Sequence, residues 1–319
     1  MGNVNALPLF FVIVMAAYAS QQPPLAAPDR DPEPFRISMD VALVVLHATV
    51  IDRQGGFVSD LNRQDFEVFE DGKPQEIRVF TNEDVPVTAG LVVDHSSSMQ
   101  PKLTEVTAAA RTFVKLSNRE DEMFVVNFNE HVSLGLPAKV RFTDDIAQLE
   151  DAIAAAPAAG QTALYDAIAK ALDELNAGSR DKKVLIVVSD GGDNASALSQ
   201  AQVMKLAGQS SAVIYTIGIF DEDDADRNPA MLRHLAQVTG GEAFLVEQVS
   251  EIVAVSKRIA RDIRHQYTIG YVPAAGARDG ASHTIRVLAH AKGHERLSVR
   301  TRTSYIAGGE RGLAEKSAQ

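Results

Sequence analysis

Residues 89–98 read Ala-Gly-Leu-Val-Val-Asp-His-Ser-Ser-Ser. Small and apolar residues from Ala89 to Val93 run without a break into a carboxylate, an imidazole and three hydroxyls. Such an unbroken run suits a strand buried on both faces of a mainly parallel sheet; a half-exposed strand would alternate. The same kind of run recurs at Met123 to Val126, Val184 to Val188, Val213 to Ile219 and Ala243 to Val246. Between the runs lie apolar stripes at helical spacing. One is Leu103, Val106, Ala110, Phe113 and Val114; another is Leu164, Ile168, Ala171, Leu172 and Leu175; a third is Ile252, Val255, Ile259 and Ile263. Strands alternating with helices over residues 84–264 predict a doubly wound α/β domain.

Outward from this block the period changes to two. In residues 36–83, Ile37, Met39 and Val41 alternate with Ser38, Asp40 and Ala42, and Phe66–Val68 and Ile77–Val79 flank the turn dipeptide Asp71-Gly72. Asp-Gly between alternating runs signals a hairpin. In residues 265–307, Tyr267, Ile269 and Tyr271 alternate, then Ile285 and Val287, then Leu297 and Val299. This last segment, about 40 residues, is too short to bury a core of its own. It is expected to pack with residues 36–83 into a small β-sandwich-like domain, with the α/β domain inserted between the two segments. Residues 1–19 read as a signal peptide. The apolar stretch Leu7 to Tyr18 is shorter than the roughly 20 residues of a spanning helix, and Ala17-Tyr18-Ala19 has the small-x-small form of a cleavage site. The segment lacks Lys and Arg, so retention as an uncleaved anchor is the alternative. After cleavage no membrane span is expected. Residues 20–35, with five prolines, read as an extended linker, and residues 308–319 as a disordered tail.

The composition of the 319 residues narrows the function. With 31 basic against 42 acidic residues the formal net charge is −11, and no basic stripe is visible. That argues against nucleic acid as a partner. The absence of Cys removes disulfides, thiolate metal sites, iron–sulfur clusters and cysteine nucleophiles; the absence of Trp argues against a carbohydrate-stacking platform. No phosphate-binding G-x-x-x-x-G-K-[ST] loop, G-x-S-x-G elbow or H-E-x-x-H pair is present. His234, His265, His283, His290 and His294 are scattered without ligand spacing. The dense acidic run Asp221 to Asp226 lacks the Gly and terminal Glu of a calcium loop and reads as solvated.

In open α/β sheets ligands bind beyond the carboxyl ends of the strands. Three such ends carry oxygen donors: Asp94, Ser96 and Ser98 after the first run, Asp190 within Ser189-Asp190-Gly191, and Thr162 within Gly160-Gln161-Thr162 before a helix. Carboxylates and hydroxyls without soft ligands suit a hard cation such as Mg²⁺. Asp94, Ser96 and Ser98 alternate by two in a tight loop, so their three oxygens can face one ion. Alone, the serine-rich loop would equally suit a turn capping a helix; Thr162 and Asp190 at matching strand ends favour the ion.

Asp94-x-Ser96-x-Ser98, then Thr162, then Asp190 resembles the metal-ion-dependent adhesion site of von Willebrand factor type A domains, in order and in spacing. Residues 40–306 as a whole resemble a bacterial group of secreted proteins with this domain. In that group a segment like Asp65-Phe66-Glu67-Val68-Phe69-Glu70-Asp71-Gly72 leads, and one like Tyr267-Thr268-Ile269-Gly270-Tyr271 trails. The resemblance implies a six-stranded, mainly parallel sheet with one antiparallel edge strand. It implies Mg²⁺ or Mn²⁺ held by Ser96 and Ser98 directly, by Asp94 and Asp190 directly or through water, and by Thr162 once an acidic ligand binds. Together with the signal-like residues 1–19 and the missing catalytic motifs, it leads to the expectation of a secreted or cell-envelope (periplasmic) binding protein, not an enzyme, that engages a Glu or Asp carboxylate of a protein partner. It also implies that the last helix of the domain can shift along its axis on binding. An envelope assembly factor whose ion orders loops, and a metal-assisted hydrolase, are the alternatives. His95 occupies a variable motif position and is read as a spacer, with a hydrogen bond to a ligand as the alternative. Gln161 stands where a Gly is often seen. Asp193 and Asn194 are read as turn residues.

Overall fold

A computed structural model describes residues 43–220, 227–273, 280–291, 293 and 296–307. The signal and linker readings, the alternation at Ile37 to Val41, the acidic run at 221–226, His294 and the tail lie outside the described residues. All described residues belong to one compact unit, Val41–Gln319.

Strands β1 (Val44–Ile51), β2 (Phe66–Glu70), β3 (Lys73–Gln75) and β4 (Ile77–Thr81) come first. The α/β block follows. Its strands are β5 (Val87–Asp94), β6 (Glu122–Phe128), β7 (Val132–Leu134), β8 (Lys182–Ser189), β9 (Val213–Ile219) and β10 (Ala243–Val246). Its helices are α1 (Leu103–Leu116), α2 (Ile146–Ala154), α3 (Leu164–Leu175), α4 (Gln200–Gln209), α5 (Pro229–Thr239) and α6 (Ile252–Arg264). Strands β11 (Tyr267–Tyr271), β12 (Ser282–Ala289), β13 (Ser298–Arg300) and β14 (Ser304–Ile306) close the described chain.

The six-stranded sheet runs β10-β9-β8-β5-β6-β7, all parallel except the edge strand β7. β5 and β8 sit at its centre, in register at Leu91 and Ile186, and every residue of both is buried. The unbroken aliphatic runs are thus explained by helices on both faces. α1 packs against α2 and α6, while α3 packs against α4 and α4 against α5. Leu164, Ile168, Ala171 and Leu175 are buried as their spacing predicts. On α6 the buried face holds Ile252, Ile259 and Ile263, and also Asp262.

Two four-stranded antiparallel sheets, β13-β1-β11-β4 and β14-β12-β2-β3, draw strands from both sides of the α/β block. β1 pairs with β11 from Val44↔Tyr271 to Ala48↔Tyr267, and β2 with β12 from Phe66↔Ala289 to Glu70↔Ile285. One cluster of Leu46, Val50, Phe66, Val68, Tyr267, Ile269, Tyr271, Ile285 and Val287 lies between them. The Asp71-Gly72 turn forms, but the strand paired to β2 across it is β3, not the Ile77–Val79 run. Pro74, which has no N–H to give a ladder, is tolerated because β3 is an edge strand. Beyond it β4 crosses to the other sheet, where Ile77 is buried and Val79 exposed.

Candidate metal centre

β5 ends in Asp94 and the chain folds straight back onto that carboxylate. Asp94 Oδ1 accepts from the Ser96 N–H at 2.8 Å, and Oδ2 accepts from Ser189 Oγ at 2.7 Å. Ser189 is the last residue of β8, so the two central strands meet at one carboxylate. The next residue, Asp190, takes a hydrogen bond from Ser98 Oγ at 2.9 Å on Oδ2 and from the Gly192 N–H at 3.0 Å on Oδ1. The hydroxyls of Ser96 and Ser98 are 3.2 Å apart. Asp94, Ser96, Ser98 and Asp190 therefore form one continuous hydrogen-bonded set. Gly191 has φ +81°, and a Cβ there would come within 2.6 Å of the Asn228 carbonyl. Only glycine fits this left-handed turn after Asp190 while packed against the Asn228 N-cap of α5.

Thr162 is buried on the adjoining loop. Its N–H donates to Asn194 Oδ1 at 2.9 Å, and its carbonyl accepts from the Asn194 and Ala195 N–H groups at 3.0 and 3.1 Å. This loop is tied to the serine loop in turn. The Gly160 N–H donates to Ser97 Oγ at 3.0 Å, and the Ala159 N–H to the His95 carbonyl at 2.9 Å. The structure thus links Asp94, Ser96, Ser98 and Asp190 by hydrogen bonds, and ties the loop that carries Thr162 to the serine loop through Gly160 and Ala159.

Sequence reading missed the supports. Ser189 is hidden as the tail of an apolar run. Asp193 and Asn194 are more than turn residues: Asp193 Oδ2 accepts from the Tyr165 N–H at 2.9 Å in the first turn of α3, and Asn194 fixes Thr162. Glu130 Oε2 accepts from the Gln161 N–H at 2.9 Å. His95 is 1% exposed, so its ring faces the interior and does not reach the rim.

Asp94 is fully buried, and burial pushes its pKa from 3.8 up to about 6. Hydrogen bonds from Ser96 and Ser189 oppose that rise, and the charge of Asp190 adds to it. Two nearby carboxylates, two linked hydroxyls and a neighbouring threonine are an all-oxygen donor set. A hard divalent cation fits it, and its charge would offset both the burial of Asp94 and the repulsion from Asp190.

A second group of close donor atoms, Glu70, Asp71 and His283 within 4.8 Å of one another, lies in the β sheets. Its sequence separation hides it. The chain itself supplies partners: His283 Nδ1 lies 2.8 Å from Asp71 Oδ2, the Thr284 N–H donates to Asp71 Oδ1 at 2.9 Å, and Tyr271 and Tyr305 donate to Glu70 Oε2 at 2.7 and 3.0 Å. These contacts join the β2–β3 turn to β12.

A sequence model of the von Willebrand factor type A domain matches residues 90–258, more than half of the chain. No curated protein matches. Among solved structures, the von Willebrand factor type A protein from Catenulispora acidiphila is 13% identical, with 83% of this chain and 74% of that one covered and a TM-score of 0.49. The vWF domain of the type V pili tip protein Mfa5 from Porphyromonas gingivalis is 16% identical, with 56% and 95% covered and a TM-score of 0.48. Proximal thread matrix protein 1 from the mussel byssus, with a zinc-occupied MIDAS motif, is 19% identical, with 56% of this chain, 48% of that one and a TM-score of 0.46. This chain therefore spans about half the length of the mussel protein.

Proposed function

The chain belongs to the von Willebrand factor type A family, and from that premise we propose that it is an exported binding protein whose site grips a Glu or Asp carboxylate of a protein partner through a divalent cation. The observation that supports this reading is Asp94: a fully buried carboxylate that takes hydrogen bonds from the Ser96 N–H and Ser189 Oγ and feels the charge of Asp190. Asp94, Ser96, Ser98, Thr162 and Asp190 would hold Mg²⁺ or Mn²⁺. Bound there, the ion would supply an electrophilic position for one incoming carboxylate. The residues do the rest. Ser189 and the Ser96 N–H aim Asp94, Ser98 aims Asp190, and Asn194 fixes the Thr162 backbone. The loops are already closed by these hydrogen bonds, which weighs against a cation that serves only to order them.

We further propose residues 84–264 as the type A domain, with residues 36–83 and 265–307 as its companion β domain. The β1–β11 and β2–β12 pairings support that division. Export to the envelope or beyond rests on the signal-like residues 1–19. Among the described residues no helix is long and apolar enough to cross a membrane.

The test is retention of the protein on a surface bearing a glutamate peptide, beside a glutamine peptide of the same length. Retention in Mg²⁺ that is lost with EDTA, with glutamine or in Asp94→Ala is expected. Equal retention on both surfaces would remove the carboxylate from the mechanism.

A further inference from the structure

The apolar run of β6 is interrupted by Asn127, which is 1% exposed, beside Val93 in the strand register. A buried polar residue in an aliphatic strand is the informative exception in a core. Asn127 Nδ2 donates to the Ala152 carbonyl in α2 at 2.6 Å. A Cβ on Gly135 would lie 2.5 Å from that carbonyl oxygen and 3.1 Å from Asn127 Nδ2, so glycine there gives the contact its room.

His95 is buried against the same place. Neither of its ring nitrogens, nor Asn127 Oδ1, has a partner of normal hydrogen-bond geometry among the described residues. Polar groups acting on the ring include the Asn127 side chain, the backbone of Ile153 in the last turn of α2 and that of Ala156 just beyond it. Carbonyls in the last turn of a helix lack intrahelical donors. Orphaned buried polar atoms cost about 1–3 kcal/mol each. Three of them together beside such carbonyls form a matched set, with an imidazole N–H on one side and amide and helix-end oxygens on the other.

We infer that His95 and Asn127 act as a buried polar bracket that fastens the metal-binding loop to the carboxyl end of α2. His95 lies between the expected ligands Asp94 and Ser96. Its backbone is held as well: its N–H donates to the Phe128 carbonyl at 2.7 Å and its carbonyl accepts from Ala159. Holding the ring in place holds the His95 Cα, and with it the peptide unit whose Ser96 N–H aims Asp94. His95 is therefore a positioning residue, acting on the ion through its two neighbours and never touching partner or ion. This inference rests on the metal reading above.

Mn²⁺ titration of the full chain, followed by electron paramagnetic resonance and competed with Mg²⁺, tests it. Asp94→Ala is the reference for the metal reading. His95→Leu is expected to weaken Mn²⁺ binding about tenfold or more while the protein stays folded, as loss of outer-shell support does elsewhere. His95→Asn keeps a polar atom where Nδ1 lies and His95→Gln where Nε2 lies; one of the two is expected to restore affinity. Adding Asn127→Leu to His95→Leu should cost little more, because the pair acts as one unit. Wild-type affinity in His95→Leu, or no rescue by either polar variant, overturns the bracket while leaving the ion site standing. Binding unchanged in Asp94→Ala overturns the metal reading and the bracket with it. Should His95→Leu not fold, ¹⁵N-histidine labelling of the unmodified chain decides. A slowly exchanging His95 ring N–H that shifts on Mg²⁺ addition is expected, and a fast-exchanging or unresponsive ring overturns the inference.

Discussion

Asp94 and Asp262 are equally buried and differently completed. Both are fully inaccessible. Asp262, on α6, accepts from Thr49 Oγ1 at 2.6 Å and Tyr215 Oη at 3.0 Å, and pairs with Arg300 of β13. Arg300 also pairs with Glu242, which Arg258 reaches at 3.3 Å. Asp94 receives hydroxyl and backbone hydrogen bonds, and the charge of a second carboxylate, Asp190, raises its pKa further. A buried carboxylate is costly unless paired. At the junction of α6 with the β sheets the chain supplies its own counter-charge. At the strand ends it supplies oxygen donors around a negative site. The first arrangement fastens elements together; the second suits a charge taken from solution.

The largest expected effect breaks the first arrangement. Arg300→Ala leaves Asp262 buried without its cation, and removing one partner of a buried pair costs about 3–5 kcal/mol. Urea unfolding should read that loss, with Mg²⁺ affinity unchanged as long as the protein is folded. The double variant Asp262→Asn with Arg300→Met should recover most of it. If Arg300→Ala unfolds at the wild-type urea concentration, Asp262 is not completed by Arg300 and the contrast with Asp94 collapses.

Acidity separates the two regions next, with opposite signs. The folded pKa of Asp94, about 6, lies above its ordinary 3.8, so between these values the metal-free folded state binds more protons than the unfolded chain. The Asp94 contribution to metal-free stability should therefore fall as pH rises from about 4 to 6, by roughly 3 kcal/mol at most. Saturating Mg²⁺ or Asp94→Asn should flatten that arm. His47, in β1, behaves in reverse: burial, with the charges of Lys182 and Arg302, pushes it from 6.5 down to about 3. Its contribution is present above pH 6.5 and lost as pH falls towards 3. The two arms overlap, so the difference in Tm between EDTA and Mg²⁺ across about pH 4–6 reads the Asp94 arm, and the slope left in Asp94→Asn reads the His47 arm. Parallel curves in the two conditions would mean that Asp94 does not feel the ion.

A smaller effect sharpens the site alone. Ser98→Ala removes one hydroxyl and the hydrogen bond that aims Asp190. A loss of about tenfold in Mg²⁺ affinity, on the order of 1.4 kcal/mol, is expected by calorimetry, with little change in Tm. Wild-type affinity would take Ser98 out of the ligand set.

What can be read from the sequence follows the range of the contacts. The buried strands are legible because burial on both faces leaves aliphatic runs such as Val184 to Val188. The candidate site is legible because strand ends converge in any doubly wound sheet, so Asp94 and Asp190 meet whatever the loops do. Partners set by strand register are not legible. Nothing near Asp262 announces Arg300 on another sheet, and nothing near Asp71 announces His283. The β2–β3 hairpin is legible at Asp71-Gly72, but its partner strand is mistaken, because alternation at Ile77 and Val79 outweighs the plain Lys73-Pro74-Gln75. Charged or polar residues inside apolar patterns, Asp262 and Asn127 among them, are where the pattern stops being informative and the function of the residue begins.

The smallest expected effect is none at all, and it concerns α6. In those domains of the resembled family that move, the last helix slides when the site is filled; many others are rigid. Here α6 runs through His265 and Gln266 into β11, which pairs with β1 on one side and β4 on the other. Asp262 is held by Thr49, Tyr215 and Arg300, the Ile263 carbonyl by Lys182, and Arg264 by Asp84 and the Leu116 carbonyl. A shift of one turn, about 5.4 Å, would break the buried pair and pull a central strand out of register. Amide exchange in α6 should therefore be unchanged by saturating Mg²⁺ and glutamate peptide together, while the loop around Ser96 and Ser98 becomes more protected. Faster exchange along α6 on ligand addition would show that the junction yields. In Arg300→Ala the same ligands should then leave α6 more responsive than in the wild type, since the restraint being tested has been removed.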